Sequence, residues 1–145
     1  MSKADTAAQL FDQSKNCAQA VAAAYAEDFG MDKATALSVA VGFGGGMGRA
    51  QEVCGAVSGA IMALGLRSNF KEEDGREKIN AVYAQVHRFI EEFTKQKGTI
   101  LCRDLLPGCD LSTEEGQKYF KENNLREHCR GFVRLACEIL DKELL

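Results

Sequence analysis

The chain has 145 residues, 46% hydrophobic and 27% charged, with a formal net charge of −3. That size and balance suit one folded domain over residues 1–145, with a proper core, and exclude a disordered or low-complexity chain. With 18 Lys and Arg against 21 Asp and Glu there is no broad basic face, so no nucleic-acid partner is expected.

The segment before Cys17 lacks the continuous apolar core of a secretory signal, which points to a cytoplasmic protein. The longest uncharged run, Val53 to Leu66, is short for a bilayer span and suits a buried core helix, so no membrane partner is expected.

Helical periodicity dominates from end to end. A first helix is predicted from about Lys3 to Asp12. A second carries Cys17, Ala20, Val21, Ala24 and Tyr25 on one stripe and ends at Gly30. Asp32 is placed to cap a third, which runs through Val41. Gly42-Phe43-Gly44-Gly45-Gly46-Met47-Gly48 follows, the most flexible stretch by composition. An almost wholly apolar fourth helix is predicted from about Gln51 to Leu66. Asp74 and Glu77 have capping-box spacing for a long fifth helix with the apolar face Ile79, Val82, Tyr83, Val86, Ile90 and Phe93. Gly98 is its stop signal. The segment Thr99 to Leu111, with Cys102, Pro107 and Cys109, reads as a short turn of helix and a loop. Ser112 with Glu115 is a second capping box, for a helix to about Asn123. The last helix carries Leu125, Cys129, Phe132, Val133, Ala136 and Leu140 on one stripe. No β-alternating run of useful length occurs. The expected fold is all-α: a single-domain helical bundle of about six to seven helices, with a Gly-rich loop before a central apolar helix.

Six cysteines and only two histidines, His87 and His128, make any metal site here rich in sulfur. In a reducing compartment such cysteines rest as thiols, or as catalytic or metal-binding groups. There is no C-x-x-C, no ferredoxin run and no zinc-finger spacing. Cys129 and Cys137 lie in one predicted helix, roughly 12 Å apart along its axis, beyond the reach of a disulfide. The glycine stretch is not a dinucleotide fingerprint: the third glycine would fall at Arg49 counting from Gly44, or at Met47 counting from Gly42. No strand precedes it, and no Gly-Lys pair exists for a phosphate loop. Two readings of it stay open. One is a connector that permits close packing; the other is a set of backbone amides aimed, with a helix N-terminus, at an anionic group.

Cys54 falls about one turn into the fourth predicted helix, where a thiol pKa is commonly lowered; the alternative is a small buried hydrophobe. Two glycines inside an apolar helix, Gly55 and Gly59, cost about 1 kcal/mol each against alanine. Something must come close to that face, either another helix or a bound group. Cys17 and Cys129 sit on apolar stripes and fit core packing as well as chemistry. Cys102 precedes Arg103, and Cys129 lies between His128 and Arg130, so cations are near both in sequence. His87 reads as structural and His128 as a solvated partner to nearby acids.

Asn16-Cys17, then Gly44-Gly45-Gly46 before Cys54-Gly55-Ala56-x-x-Gly59, then Cys102-Arg103-Asp104-Leu105-Leu106, then a cysteine in the last helix: this order resembles the C_GCAxxG_C_C family of redox-active proteins. The resemblance spans nearly the whole chain. It implies a helical domain with cysteine-based redox or metal chemistry, compatible with iron–sulfur binding. The family's four signature cysteines fall on Cys17, Cys54, Cys102 and Cys129. Val53 stands before the second of them, and the glycine and alanine follow it. Cys109 and Cys137 receive no role from the resemblance.

Three functions are compatible with these residues. In the first, Cys54 attacks a disulfide and another of Cys17, Cys102 and Cys129 resolves the mixed disulfide, with an unnamed redox partner. In the second, the four thiolates hold an iron–sulfur cluster or zinc. In both, Gly44, Gly45, Gly46, Gly55 and Gly59 are expected beside the bound group. In the third, the cysteines are packing residues and the glycine-bearing helix makes a homodimer.

Overall fold

Alanine decides the middle of this fold. In the computed structural model, which describes residues 1–145, the segment CAQAVAAAYA forms α2 (Cys17–Ala26), and its alanines are buried on every face. Side chains this small let neighbours close in from all sides. They are α1 (Lys3–Asp12), α3 (Lys33–Ala40), α5 (Gly55–Ser68) and α9 (Arg126–Ile139). Asn16 caps α2: its side chain accepts from the amide of Gln19, whose own side chain accepts from the amide of Asn16. The expected central helix was the apolar one after the glycines. That helix, α5, is buried too, but α2 holds the centre.

The remaining helices are α4 (Gly44–Met47), α6 (Arg76–Lys97), α7 (Cys102–Leu105) and α8 (Glu114–Glu122). Turns of 3₁₀ helix extend α2 and α3, and a π turn over Leu140–Leu144 ends the chain. Seven helices have eight residues or more and α4 and α7 are single turns, so the total exceeds the expected six to seven. The class is all-α as expected; the one β pairing is an antiparallel bridge between Val53 and Leu101.

Two of the expected helix starts are displaced. Asp74 accepts from the amide of Lys71 in the turn before α6, and Gly75 takes the cap position. Thr113, not Ser112, caps α8 by accepting from the amide of Gly116; the Ser112 hydroxyl donates to Asp110. The long α6 buries less than its periodicity implies. Phe89 and Phe93 are fully enclosed, Phe93 meeting Phe132 edge-on, whereas Tyr83 is 59% exposed. α5, α9 and the terminal π turn pack against α6, and its two enclosed residues both lie in its C-terminal half.

A close backbone approach in the core joins α2 to α5. A Cβ on Gly59 would lie 2.8 Å from the Ala18 carbonyl oxygen and 2.9 Å from Val21 Cβ. One on Gly55 would lie 3.0 Å from the Ala18 nitrogen and 3.1 Å from Cys17 Cβ. The glycine face is therefore occupied by α2 of the same chain, which removes it as the contact face of a homodimer.

Two alanine substitutions in α5 should move stability in opposite directions. At Gly59 a methyl group meets backbone, so Gly59→Ala should lose about 1–3 kcal/mol. Gly65 has open space at its Cβ position, so Gly65→Ala should gain up to about 1 kcal/mol from helix propensity. Urea unfolding midpoints read both, and equal effects at the two sites would refute the close approach.

Candidate functional site

Each of the four signature cysteines stands in the first turn of a helix. Cys17 opens α2, Cys54 is the N-cap of α5, Cys102 opens α7, and Cys129 is the fourth residue of α9. All four line a single open cleft of about 1140 Å³. Gly44, Gly45, Gly46 and Gly55 line it as well; Gly59 lies one turn deeper, against Ala18. Cys109 and Cys137 are buried elsewhere, the Cys109 thiol donating to the Gly116 carbonyl. Both histidines are exposed, and neither lines the cleft.

Three local devices assemble this lining. The missing side chain at Gly55 lets Cys17 approach the start of α5. The Val53–Leu101 bridge then ties Cys54 to Cys102. The Cys54 amide donates to Ile100 O at 2.8 Å and the Cys102 amide to Glu52 O at 2.7 Å. Because these residues serve the bridge, α5 starts at Gly55 rather than at Gln51, and Cys54 caps the helix instead of sitting within it.

The third device is the glycine stretch, which is folded rather than a loose connector. Five consecutive residues, Gly45 to Arg49, have φ between +60° and +70°, a turn of left-handed helix. The amides of Arg49, Gln51 and Glu52 donate back to the carbonyls of Gly44, Gly45 and Gly46. Only glycine adopts this conformation without penalty. Gly46 has a second reason to lack a side chain, since its Cβ would sit 2.8 Å from Cys102 Cβ.

Gln51 holds that turn to the far side of the cleft, although nothing in the sequence marks a glutamine there. It is only 6% exposed. Its side chain donates to Cys109 O and accepts from the Leu111 amide, both at 2.9 Å. Its carbonyl accepts from the Arg103 guanidinium and the Arg103 amide. Asn16 does comparable work opposite, donating to Val41 O at 2.9 Å and packing beneath Gly44.

The four thiols are not equally acidic. Burial pushes Cys54 up to about 12, outweighing the amides of Ala56 and Val57, which favour its thiolate. Burial likewise raises Cys102 to about 11, against a hydrogen bond to Gln51. The expectation of a lowered Cys54 pKa is therefore corrected. The helix N-terminus is present, but a thiol only 4% exposed cannot recruit the water a thiolate needs. Cys129 moves the other way: a hydrogen bond with Cys17 holds it below the ordinary thiol value, and the positive charge of Arg126 adds to the effect. Cys17, the proton-holding partner, is raised accordingly. These two are also the only half-exposed cysteines of the six. As they stand, no three Cys, His, Asp or Glu side chains come close enough together to hold a metal ion. No helix is long and apolar enough to cross a membrane.

Timed alkylation with peptide mapping should label Cys129 first at neutral pH and Cys54 last. Replacing Arg126 with glutamine should raise the pH at which Cys129 labelling reaches half its maximum. Labelling of Cys54 ahead of Cys129 would refute this ordering. Alkaline pH should also weaken the fold. A buried thiol whose folded pKa is raised binds its proton more tightly in the folded state. Its contribution is intact below the unfolded pKa of about 8.5 and is lost as pH rises toward the folded value, about 1.4 kcal/mol per pH unit for each such thiol. Urea midpoints that stay level from pH 8 to pH 11 would contradict the burial of Cys54, Cys102 and Cys137.

A protein of Archaeoglobus fulgidus described as "Uncharacterized protein" is 29% identical over 138 residues, covering 90% of this chain and 85% of the relative. No solved structure matches. The family described as "Putative redox-active protein (C_GCAxxG_C_C)" matches residues 15–143. By that match, over nearly its whole length, the chain belongs to the C_GCAxxG_C_C family.

Proposed function

We propose that this protein carries out thiol–disulfide exchange in the four-cysteine cleft, with Cys129 as the attacking sulfur and Cys17 as the resolving one. The observation that carries the reading is that Cys17 and Cys129, the two partly exposed cysteines of the six, line one cleft together with Arg126, whose charge favours the Cys129 thiolate. A thiolate is the nucleophile in exchange, and a second thiol lining the same cleft is the natural second attacker. Family membership supports redox chemistry in general; the assignment of roles rests on the geometry.

In the first step the Cys129 thiolate attacks a substrate disulfide. A Cys129–S–S–R bond forms, the substrate S–S bond breaks, and one substrate thiolate leaves. In the second, Cys17 gives up its proton to solvent or to that thiolate and attacks Cys129 Sγ. A Cys17–Cys129 disulfide forms and the second thiol leaves. Two electrons pass from the cysteine pair to the substrate, and an external dithiol returns the pair to its reduced state. Arg126 stabilises the starting thiolate. Cys54 and Cys102 stay protonated at neutral pH and complete the floor of the cleft; neither begins the reaction.

Reduced protein treated with neutral hydroxyethyl disulfide, then acid-quenched and mapped by mass spectrometry, should contain a Cys17–Cys129 disulfide. Cys129→Ser should fall to background, and Cys17→Ser should accumulate a mixed disulfide on Cys129. A disulfide confined to Cys54, or survival of exchange in Cys129→Ser, overturns the assignment. Metal and acid-labile sulfide analysis of anaerobically purified protein is the companion measurement. Stoichiometric iron or zinc together with unreactive thiols would replace exchange with the metal-binding reading.

A further inference from the structure

The charge of the cleft runs against the charge of the chain. The protein as a whole is at −3. Yet the cleft is lined by five basic side chains, Lys15, Arg49, Lys118, Lys121 and Arg126, and by one acid, Asp12. That acid is already engaged, held by the Arg130 guanidinium through two contacts at 3.1 Å. None of Lys15, Arg49, Lys121 or Arg126 has a carboxylate at ion-pair distance. Lys118 reaches only Glu122, one turn along α8, at 3.8 Å with both side chains largely exposed.

These cations come from four separate segments: the turn before α2, the left-handed glycine turn, α8 and α9. Two are fixed in place by contacts that leave their charge uncompensated. The Arg126 guanidinium lies 3.9 Å over the Phe11 ring and donates to Phe11 O. The Arg49 stem packs against Gly45. Like charges spread around one opening repel one another, and a ligand of opposite sign relieves that repulsion. The N-termini of α2, α5 and α9 turn their positive ends toward the same space. A volume of about 1140 Å³ suits a small molecule, since pockets for such ligands run to about 1,000 Å³.

Resting on the exchange reading above, we propose that the substrate of this cleft is a low-molecular-weight disulfide with at least two carboxylate or phosphate groups. The basic side chains seat its anionic ends and bring the S–S bond to Cys129. The cleft discriminates by charge: a neutral disulfide enters without help, and a cationic one is repelled.

Stopped-flow oxidation of the reduced protein by three disulfides tests this: anionic oxidised glutathione, neutral hydroxyethyl disulfide and dicationic cystamine. With the neutral rate correcting for intrinsic thiol reactivity, the anionic probe should outpace the cationic one by about tenfold or more at low salt. That ratio should shrink in high salt, in Lys121→Glu, and further in Arg49→Glu/Lys121→Glu, both changes being on exposed side chains. A redox-inert anion, glutathione sulfonate, should shift the backbone amide resonances of Gly44 to Arg49 in the wild type and not in the double variant. If the three disulfides react at equal rates and the sulfonate moves no cleft amide, the anion site is refuted while exchange stands. If the sulfonate binds but no disulfide of any charge reacts, the exchange reading falls and the anion site stands.

Discussion

Where α5 crosses α2, the two backbones approach so closely that a Cβ on Gly59 would nearly touch the carbonyl oxygen of Ala18. Glycine in a helix costs about 1 kcal/mol against alanine. What offsets that cost is the contact itself. Ala18, Val21 and Ala22 on one helix and Ala56, Val57 and Ala60 on the other are all enclosed, and dispersion forces grow steeply at such distances. The crossing also fixes the chemistry. It superposes the first turns of two helices, so Cys17 and Cys54, far apart in the chain, meet the same cleft. Were α5 held a few ångströms away by ordinary side chains, the cysteines of α2 and α5 would no longer share a wall.

Across the cleft the lining is held by backbone strain and by hydrogen bonds that balance it. Met47, Arg49 and Gln51 all take left-handed conformations, which cost non-glycine residues about 1–2 kcal/mol each. The buried amide of Gln51, tied to Cys109 and Leu111, makes that conformation the favoured one, because releasing it would strand polar groups away from water. Strain of this kind clusters at functional sites, where a fixed geometry matters more than local comfort. Here it presses Gly46 against Cys102 and carries Arg49 to the rim.

Periodicity and capping made much of this fold legible. The extent of α1, the start of α3 and the all-α class follow from periodicity, with stripes such as Cys17, Ala20, Val21, Ala24, and from Asp32 as a cap; Asn16, which caps α2, was not read from the sequence. The Gly55/Gly59 pair pointed to a close approach, which α2 makes, and the four spaced cysteines line one cleft. Other features had no local signature. The start of α5 depends on a bridge to Leu101, nearly fifty residues away, and the left-handed turn depends on Gln51 finding partners nearly sixty residues on. Arg126 is simply a charged residue in sequence; only the fold lays it over Phe11 beside Cys129. Long-range pairing of this kind is set by tertiary packing, which composition and spacing do not encode.

The reversal between Cys54 and Cys129 shows which of two opposing effects wins. A helix N-terminus favours a thiolate by an amount typically below about 1 kcal/mol at an exposed position, whereas enclosing a charge costs several times more. Cys54 has the better helix position, with two amides facing its sulfur, but no access to water. Cys129 sits later in its helix, yet keeps solvent on one side, a hydrogen-bonding thiol on another and a guanidinium nearby. These surroundings favour its thiolate over that of Cys54, as the proposed exchange requires. The same reasoning explains why the rim cations matter more than the three helix ends. They stand where solvent and ligand both reach, and the charge they present is whole rather than partial. A cleft built this way keeps its floor protonated and apolar and concentrates its positive potential at the entrance, so an anion is guided in while the buried sulfurs stay as thiols.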